Sequence, residues 1–147
     1  MPTSNSFERT LTAAVRPVLG SSAVRFVAYL GLCAAYLQGG LVKLTDFPGA
    51  LGEMAHFGLS PAAPFAVLVI LLELGASATI LSGWLRWLGA LGLAGFTLLA
   101  TGIALRFWDL PAGQERFMAA NSFFEHLGLV GGFLLVAWLD LKEREAS

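Results

Sequence analysis

Four long apolar runs, at 23–44, 62–85, 87–107 and 123–139, take up most of the chain, and each is broken by only one to three charged or strongly polar residues. A bilayer's hydrocarbon core is about 30 Å thick and takes roughly 20 apolar residues to cross as a helix. The pattern therefore predicts an all-α protein, a bundle of four transmembrane helices. Punctuation between the runs agrees. Asp46-Phe47-Pro48-Gly49 ends the first span, and Leu59-Ser60-Pro61 prepares the second with a serine cap ahead of proline. A tight turn through Ser82-Gly83-Trp84-Leu85-Arg86-Trp87 joins spans two and three, and Asp109-Leu110-Pro111-Ala112-Gly113 opens the last connection. The two longer connections are then 45–61 and 108–122. Within the first, residues 50–57 suit a short interfacial helix with Met54 and Phe57 toward lipid and Glu53 and His56 toward water.

Ahead of the spans, Phe7, Leu11, Val15, Val18 and Leu19 recur at helical spacing with Arg9 and Arg16 among them. Residues 1–22 thus read as an amphipathic segment lying on the inner leaflet, 23–141 as the membrane domain, and 142–147 as a cytoplasmic tail. The apolar run from Val24 is too long for the core of a cleavable signal and lacks a small-x-small site. Leu30-Gly31-Leu32-Cys33 makes a poor lipoprotein box, because Leu32 is too bulky before the cysteine.

Composition decides between membrane spans and buried soluble helices. Hydrophobic residues make up 56% of the chain and charged ones 13%, and the mean hydropathy is +0.73, outside the range of soluble domains. With most of its 147 residues in spans, the chain has no room for a separate soluble catalytic domain. The net charge of -1 hides an asymmetry. Arg9, Arg16, Arg25, Arg86, Lys142 and Arg144 fall on one side of a four-span arrangement, and only Lys43, Arg106 and Arg116 on the other. The positive-inside rule then places both termini in the cytoplasm and the two longer connections outside. Nothing in this pattern points to nucleic acid as a partner; the lipid bilayer is the expected one.

Cys33 is the single cysteine, so no intrachain disulfide, Cys-x-x-Cys redox pair or cysteine-rich metal site exists. No His-x-x-x-His pair occurs, and adjacent residues such as Glu125 and His126 diverge by about 100° on a helix, so no metal site is expected. Two histidines in all also argue against a two-ligand haem within one span. Gly89, Gly92 and Gly95 in the third run, and Gly128 with Gly132 in the fourth, suit close helix packing in a compact bundle or on a homo-oligomer face.

Candidate chemistry comes from polar residues placed where polarity is expensive. Glu73 lies near the middle of the second run, where an ionisable side chain costs about 3 kcal/mol or more. Lys43 sits at the outer end of the first run, after Gln38 within it. Arg106 leaves the third run, and Glu125 and His126 begin the fourth, on that same side. On helical spacing, Tyr36, Gly40 and Lys43 share a face, as do Glu73 and Ser77; Thr97 and Thr101 are one turn apart. These positions outline a polar cleft open to the outside and floored by Glu73. The structural alternatives are snorkelling for Lys43 and Arg106, helix capping for Glu125 and His126, and a fold-fixing ion pair for Glu73.

Several segments resemble the DoxX-like membrane proteins. Gly39-Gly40-Leu41-Val42-Lys43-Leu44 is similar to that family's first-helix Gly-x-x-Lys-Leu end, followed by Phe57-Gly58-Leu59-Ser60-Pro61. Leu71-Leu72-Glu73-Leu74-Gly75 is similar to its second-helix segment, and Phe107-Trp108 with Phe123 to Gly132 to its third-helix exit and fourth-helix start. The chain departs from the family at Leu105, where many relatives carry a histidine, and at Glu125-His126, where they carry Lys-Asn. The resemblance, over about residues 24–140, implies a four-helix fold, marks Lys43 and Glu73 as the family's polar positions, and implies quinone-linked redox work beside a partner protein. In that reading Lys43 donates to a quinone carbonyl, Glu73 or His126 relays protons, and Tyr36 or Trp108 stacks on the ring, with Gln38, Arg106 and Glu125 lining the site. The partner supplies the electrons, since no flavin, haem or iron-sulfur motif is present. The other reading is a non-catalytic membrane subunit that binds a small amphipathic ligand or stabilises a membrane complex. A transporter is a weaker third reading, because four spans are too few for an inverted repeat within one chain.

Overall fold

A computed structural model describes residues 3–146, and side chains from Ser6 onward; Met1, Pro2 and Ser147 lie outside the described residues. All elements among them are helical: α1 (Thr3–Leu19), α2 (Ser22–Thr45), α3 (Phe47–His56), α4 (Ala62–Ser82), α5 (Arg86–Ala104), a 3-10 turn at Phe107–Asp109, and α6 (Gln114–Glu145). Four of them, α2, α4, α5 with the 3-10 turn, and α6, are long and apolar enough to cross a membrane. The chain forms two compact units, residues 1–31 and 32–147.

In the first unit, α1 keeps Phe7, Leu11, Val15, Val18 and Leu19 exposed. Ser21 caps the start of α2, its hydroxyl accepting from the Val24 N–H at 3.3 Å while donating to the Val18 carbonyl at 2.8 Å.

The second unit holds the rest of α2 and everything after it. Asp46 starts α3 by accepting the Gly49 N–H at 3.0 Å, with Pro48 in the first turn where its missing N–H costs nothing. Ala50 and Met54, one turn apart, bury themselves against Ala66 of α4, with Phe47, Leu51, Leu59, Phe65 and Val69 around them. The expected orientation of this short helix is corrected here. Met54 faces protein, not lipid, because the first turns of α4 offer an apolar surface within reach of the helix, while Glu53 and His56 are exposed as expected.

α4 and α5 approach closely at Gly89. A methyl group added at Gly89 would sit 2.7 Å from the Ala76 carbonyl oxygen and run into the Thr79 hydroxyl. Gly132 abuts Leu32 of α2, but the space beside Gly128 and Gly95 is open. The Gly128/Gly132 pair therefore does not act as one packing motif inside the bundle. Phe133, Ile80, Leu93, Cys33 and Ser77 are fully buried at the centre.

Two boundaries differ from expectation. α4 stops at Ser82, where Gly83 takes a left-handed φ of 85° that closes the helix. α6 begins at Gln114 instead of near 123, so the last connection shrinks to a few residues around Pro111. Residues 114–122 are good helix formers with Glu115 in the first turn, but too polar to register in a hydropathy pattern. At 32 residues α6 is about 48 Å long, so its polar turns extend past a hydrocarbon core of about 30 Å.

Candidate functional site

Glu73 lies 11 residues into α4, about 16 Å from its start. Its side chain is 8% exposed, and it faces α2 where two glycines in sequence, Gly39 and Gly40, leave room for it. A Cβ added at Gly39 would lie 3.4 Å from a Glu73 carboxylate oxygen, and one at Gly40 would lie 2.8 Å from Leu74 and 3.3 Å from the Glu73 Cβ. Side chains on a helix lean toward its N-terminus, so Lys43, two residues from the end of α2, reaches back into the bundle. Its Nζ donates to the Glu73 carboxylate at 3.4 Å and lies 3.7 Å from a carboxylate oxygen of Glu53 on α3. The Lys43 side chain is 12% exposed and that of Glu53 44%. An ammonium held between two carboxylates, one buried and one open to the surroundings, is the centre of the site. Beneath it, Ser77 donates to the Glu73 backbone carbonyl at 2.6 Å.

A second polar set runs along α5. Thr97 donates to the Leu93 carbonyl and Thr101 to the Thr97 carbonyl, both at 2.6 Å. Each hydroxyl carries one hydrogen, so both are committed to the helix backbone and each oxygen is left as an acceptor. Tyr36 of α2 therefore donates its phenolic hydrogen to Thr97 at 2.5 Å, and His126 of α6 donates from Nδ1 to Thr101 at 2.8 Å. Neutral His126 is thereby held as the Nδ1–H tautomer, with the lone pair on Nε2. The Tyr36 ring meets Phe133 and Phe96 edge-on.

Sequence reasoning missed a third constellation at the opposite end. Asp140 of α6, 5% exposed, accepts from Arg144 Nε at 2.9 Å and from the Trp87 backbone N–H at 3.2 Å, and pairs with Arg86 at 3.6 Å. Arg86 also donates to the Ile80 carbonyl at 2.9 Å and Arg144 to the Gly83 carbonyl at 3.1 Å. The α4–α5 turn is thus bolted to α6 through one carboxylate. The only sequence signal was an aspartate at the edge of an apolar run.

Of the sequence candidates, Lys43 and Glu73 come together, and Tyr36 and His126 attach to the α5 threonines. Gln38 is exposed, about 200° around α2 from Tyr36, and so lies off the buried face. Arg106 is exposed and pairs with Asp109 at 2.8 Å. Trp108 is half-exposed among Phe107 and Phe123, and Glu125 is exposed. A single cleft gathering all eight candidates is not what forms. The polar residues divide into a Lys43 centre, the α5 threonine pair, and outward-facing groups at the helix ends.

Four helices long and apolar enough to cross a membrane, with a buried lysine–glutamate pair linking α2 and α4, define a small polytopic membrane protein. The DoxX family model matches residues 25–106, and the chain belongs to the DoxX family. The inner membrane protein YqjF of Escherichia coli (strain K12) is 34% identical over 111 residues, covering 76% of this chain and 79% of that protein. No solved structure matches the chain. The family match spans Tyr36, Lys43, Glu53, Glu73 and both threonines, and leaves His126 and Asp140 outside it.

Proposed function

We propose that this DoxX-family protein is an integral protein of the inner membrane and serves there as a quinone-associated redox component beside a partner protein. The observation that carries the reading is the Lys43–Glu73 pair, a strong donor and a carboxylate held together inside the bilayer, where ionisable groups are costly and tend to be retained for function. The donor set fits a quinone. An ammonium has three N–H groups; one is donated to Glu73, Glu53 lies 3.7 Å away as an ion-pair partner, and a carbonyl oxygen arriving from the lipid phase would accept another. When bound, a quinone accepts two electrons and two protons. The electrons would come from the partner, while Glu73 would hold a proton near a ring oxygen; His126, bonded to Thr101, stands apart from the Lys43 centre. In this reading both termini face the cytoplasm, as the positive-inside rule would have it for the lysines and arginines of the chain.

Purification from native membranes in gentle detergent tests this, with the eluate assayed for quinone and for co-purifying proteins. Stoichiometric quinone that is lost in Lys43→Ala and Glu73→Gln, at unchanged abundance and assembly, is the expected result. Partners without quinone would overturn it in favour of a non-catalytic subunit. One observation favours that second reading: among the described residues no buried side-chain nitrogen or oxygen lacks a partner, as in a site built for stability.

A further inference from the structure

We infer that Glu53, Lys43 and Glu73 together bind one exchangeable proton and form the route by which it reaches the bundle interior from the membrane surface. Three observations combine. Lys43 Nζ bridges the two carboxylates at 3.7 and 3.4 Å, so proton transfer along the row needs only small side-chain movements. Exposure falls from 44% at Glu53 through 12% at Lys43 to 8% at Glu73, a gradient from the wet edge inward. Fully ionised, the row carries two negative charges and one positive. The unbalanced charge is expensive at this depth, and one bound proton removes it.

Among the described residues no other charged side chain is recorded against the row. Asp46, at the α2–α3 junction, is engaged with the Gly49 N–H. His56, on α3, packs its ring against Phe57 and is exposed, and the Tyr36 hydroxyl is given to Thr97. The transfer balances without a co-reactant. Glu53 takes a proton from water, the Lys43 ammonium passes one to Glu73, and Lys43 recovers one from Glu53. Glu53 is thus a relay group. The inference draws on the proposed redox role only for where the proton is used, because the row could load a proton whether or not a quinone binds.

Infrared spectroscopy of the full chain in lipid nanodiscs tests it without any quinone. Wild type is expected to show a carboxylic-acid carbonyl band at neutral pH that shifts promptly on transfer to D2O. The band should be lost in both Glu53→Gln and Glu73→Gln, since either removes the unbalanced charge, and kept in Glu53→Asp. Unchanged elution and helical circular dichroism of Glu53→Gln, whose site is at the exposed edge, establish that the loss is not unfolding. Absence of the band in wild type, or its survival in Glu53→Gln, would overturn the inference. Loss of bound quinone with this pattern intact would count against the redox role alone.

Discussion

Replacing Asp140 with alanine should loosen the end of the bundle that bears the α4–α5 turn, and its cost can be worked from the contacts. Asp140 is the shared acceptor for Arg144, Trp87 N–H and Arg86. Removing one member of a buried ion pair costs about 3–5 kcal/mol, because the other charge is left uncompensated. Two features push the figure to the low end. Arg86 keeps the Ile80 carbonyl, and Arg144 is half-exposed, where an ion pair contributes only about 0–1 kcal/mol. About 3 kcal/mol is therefore expected for Asp140→Ala. Asp140→Asn retains an acceptor for the Trp87 N–H and should cost about half as much, since it loses mainly the charge assistance. Reversible unfolding in mixed micelles, titrated with a denaturing detergent, gives both values. Adding Arg86→Ala completes a double-mutant cycle, with a coupling of about 1–3 kcal/mol expected. If Asp140→Ala lies within about 0.5 kcal/mol of wild type, the cost of an ordinary surface change, the bolt contributes nothing and the reasoning fails.

Three further outcomes follow. Lys43→Met and Glu73→Leu should each lower stability by about 3–5 kcal/mol in the same unfolding assay, and the double variant should recover most of that loss. Gly89→Ala should destabilise by about 1–3 kcal/mol as the α4–α5 contact is forced apart, whereas Gly95→Ala, which meets open space, should be neutral or slightly stabilising. Met54→Ala should cost about 2–5 kcal/mol and raise proteolytic cleavage near α3, by opening the contact with Ala66.

What the sequence made legible was whatever left a local trace. The spans were visible from length and apolarity, and Lys43 and Glu73 from the cost of placing charge among hydrocarbon. Their pairing needed more, because it depends on Gly39 and Gly40 letting α4 approach α2 at one level. Asp140 was hidden for the opposite reason. It stands beside Lys142, Glu143 and Arg144, where charge is ordinary, and its partner Arg86 belongs to a turn 54 positions earlier. Gln38 was flagged as polar within an apolar run, yet its phase against Tyr36 and Gly40 already put it on the other side of the helix. The inward turn of Met54 was beyond local reading, since a short helix beside a membrane span has two apolar surroundings to choose from and only the packing of Ala50 against α4 decides.

The hydrogen bonds along α5 carry one more consequence. Because Thr97 and Thr101 have each given their only hydrogen to a backbone carbonyl, neither hydroxyl has a proton to pass on without first breaking a helix bond. Tyr36 of α2 and His126 of α6 each direct a hydrogen to one member of the pair, and neither can receive one back through it. The two threonines thus work as an insulator between two groups able to carry protons. A proton held on the α6 side would therefore find no direct path through the threonine pair to Tyr36 on α2.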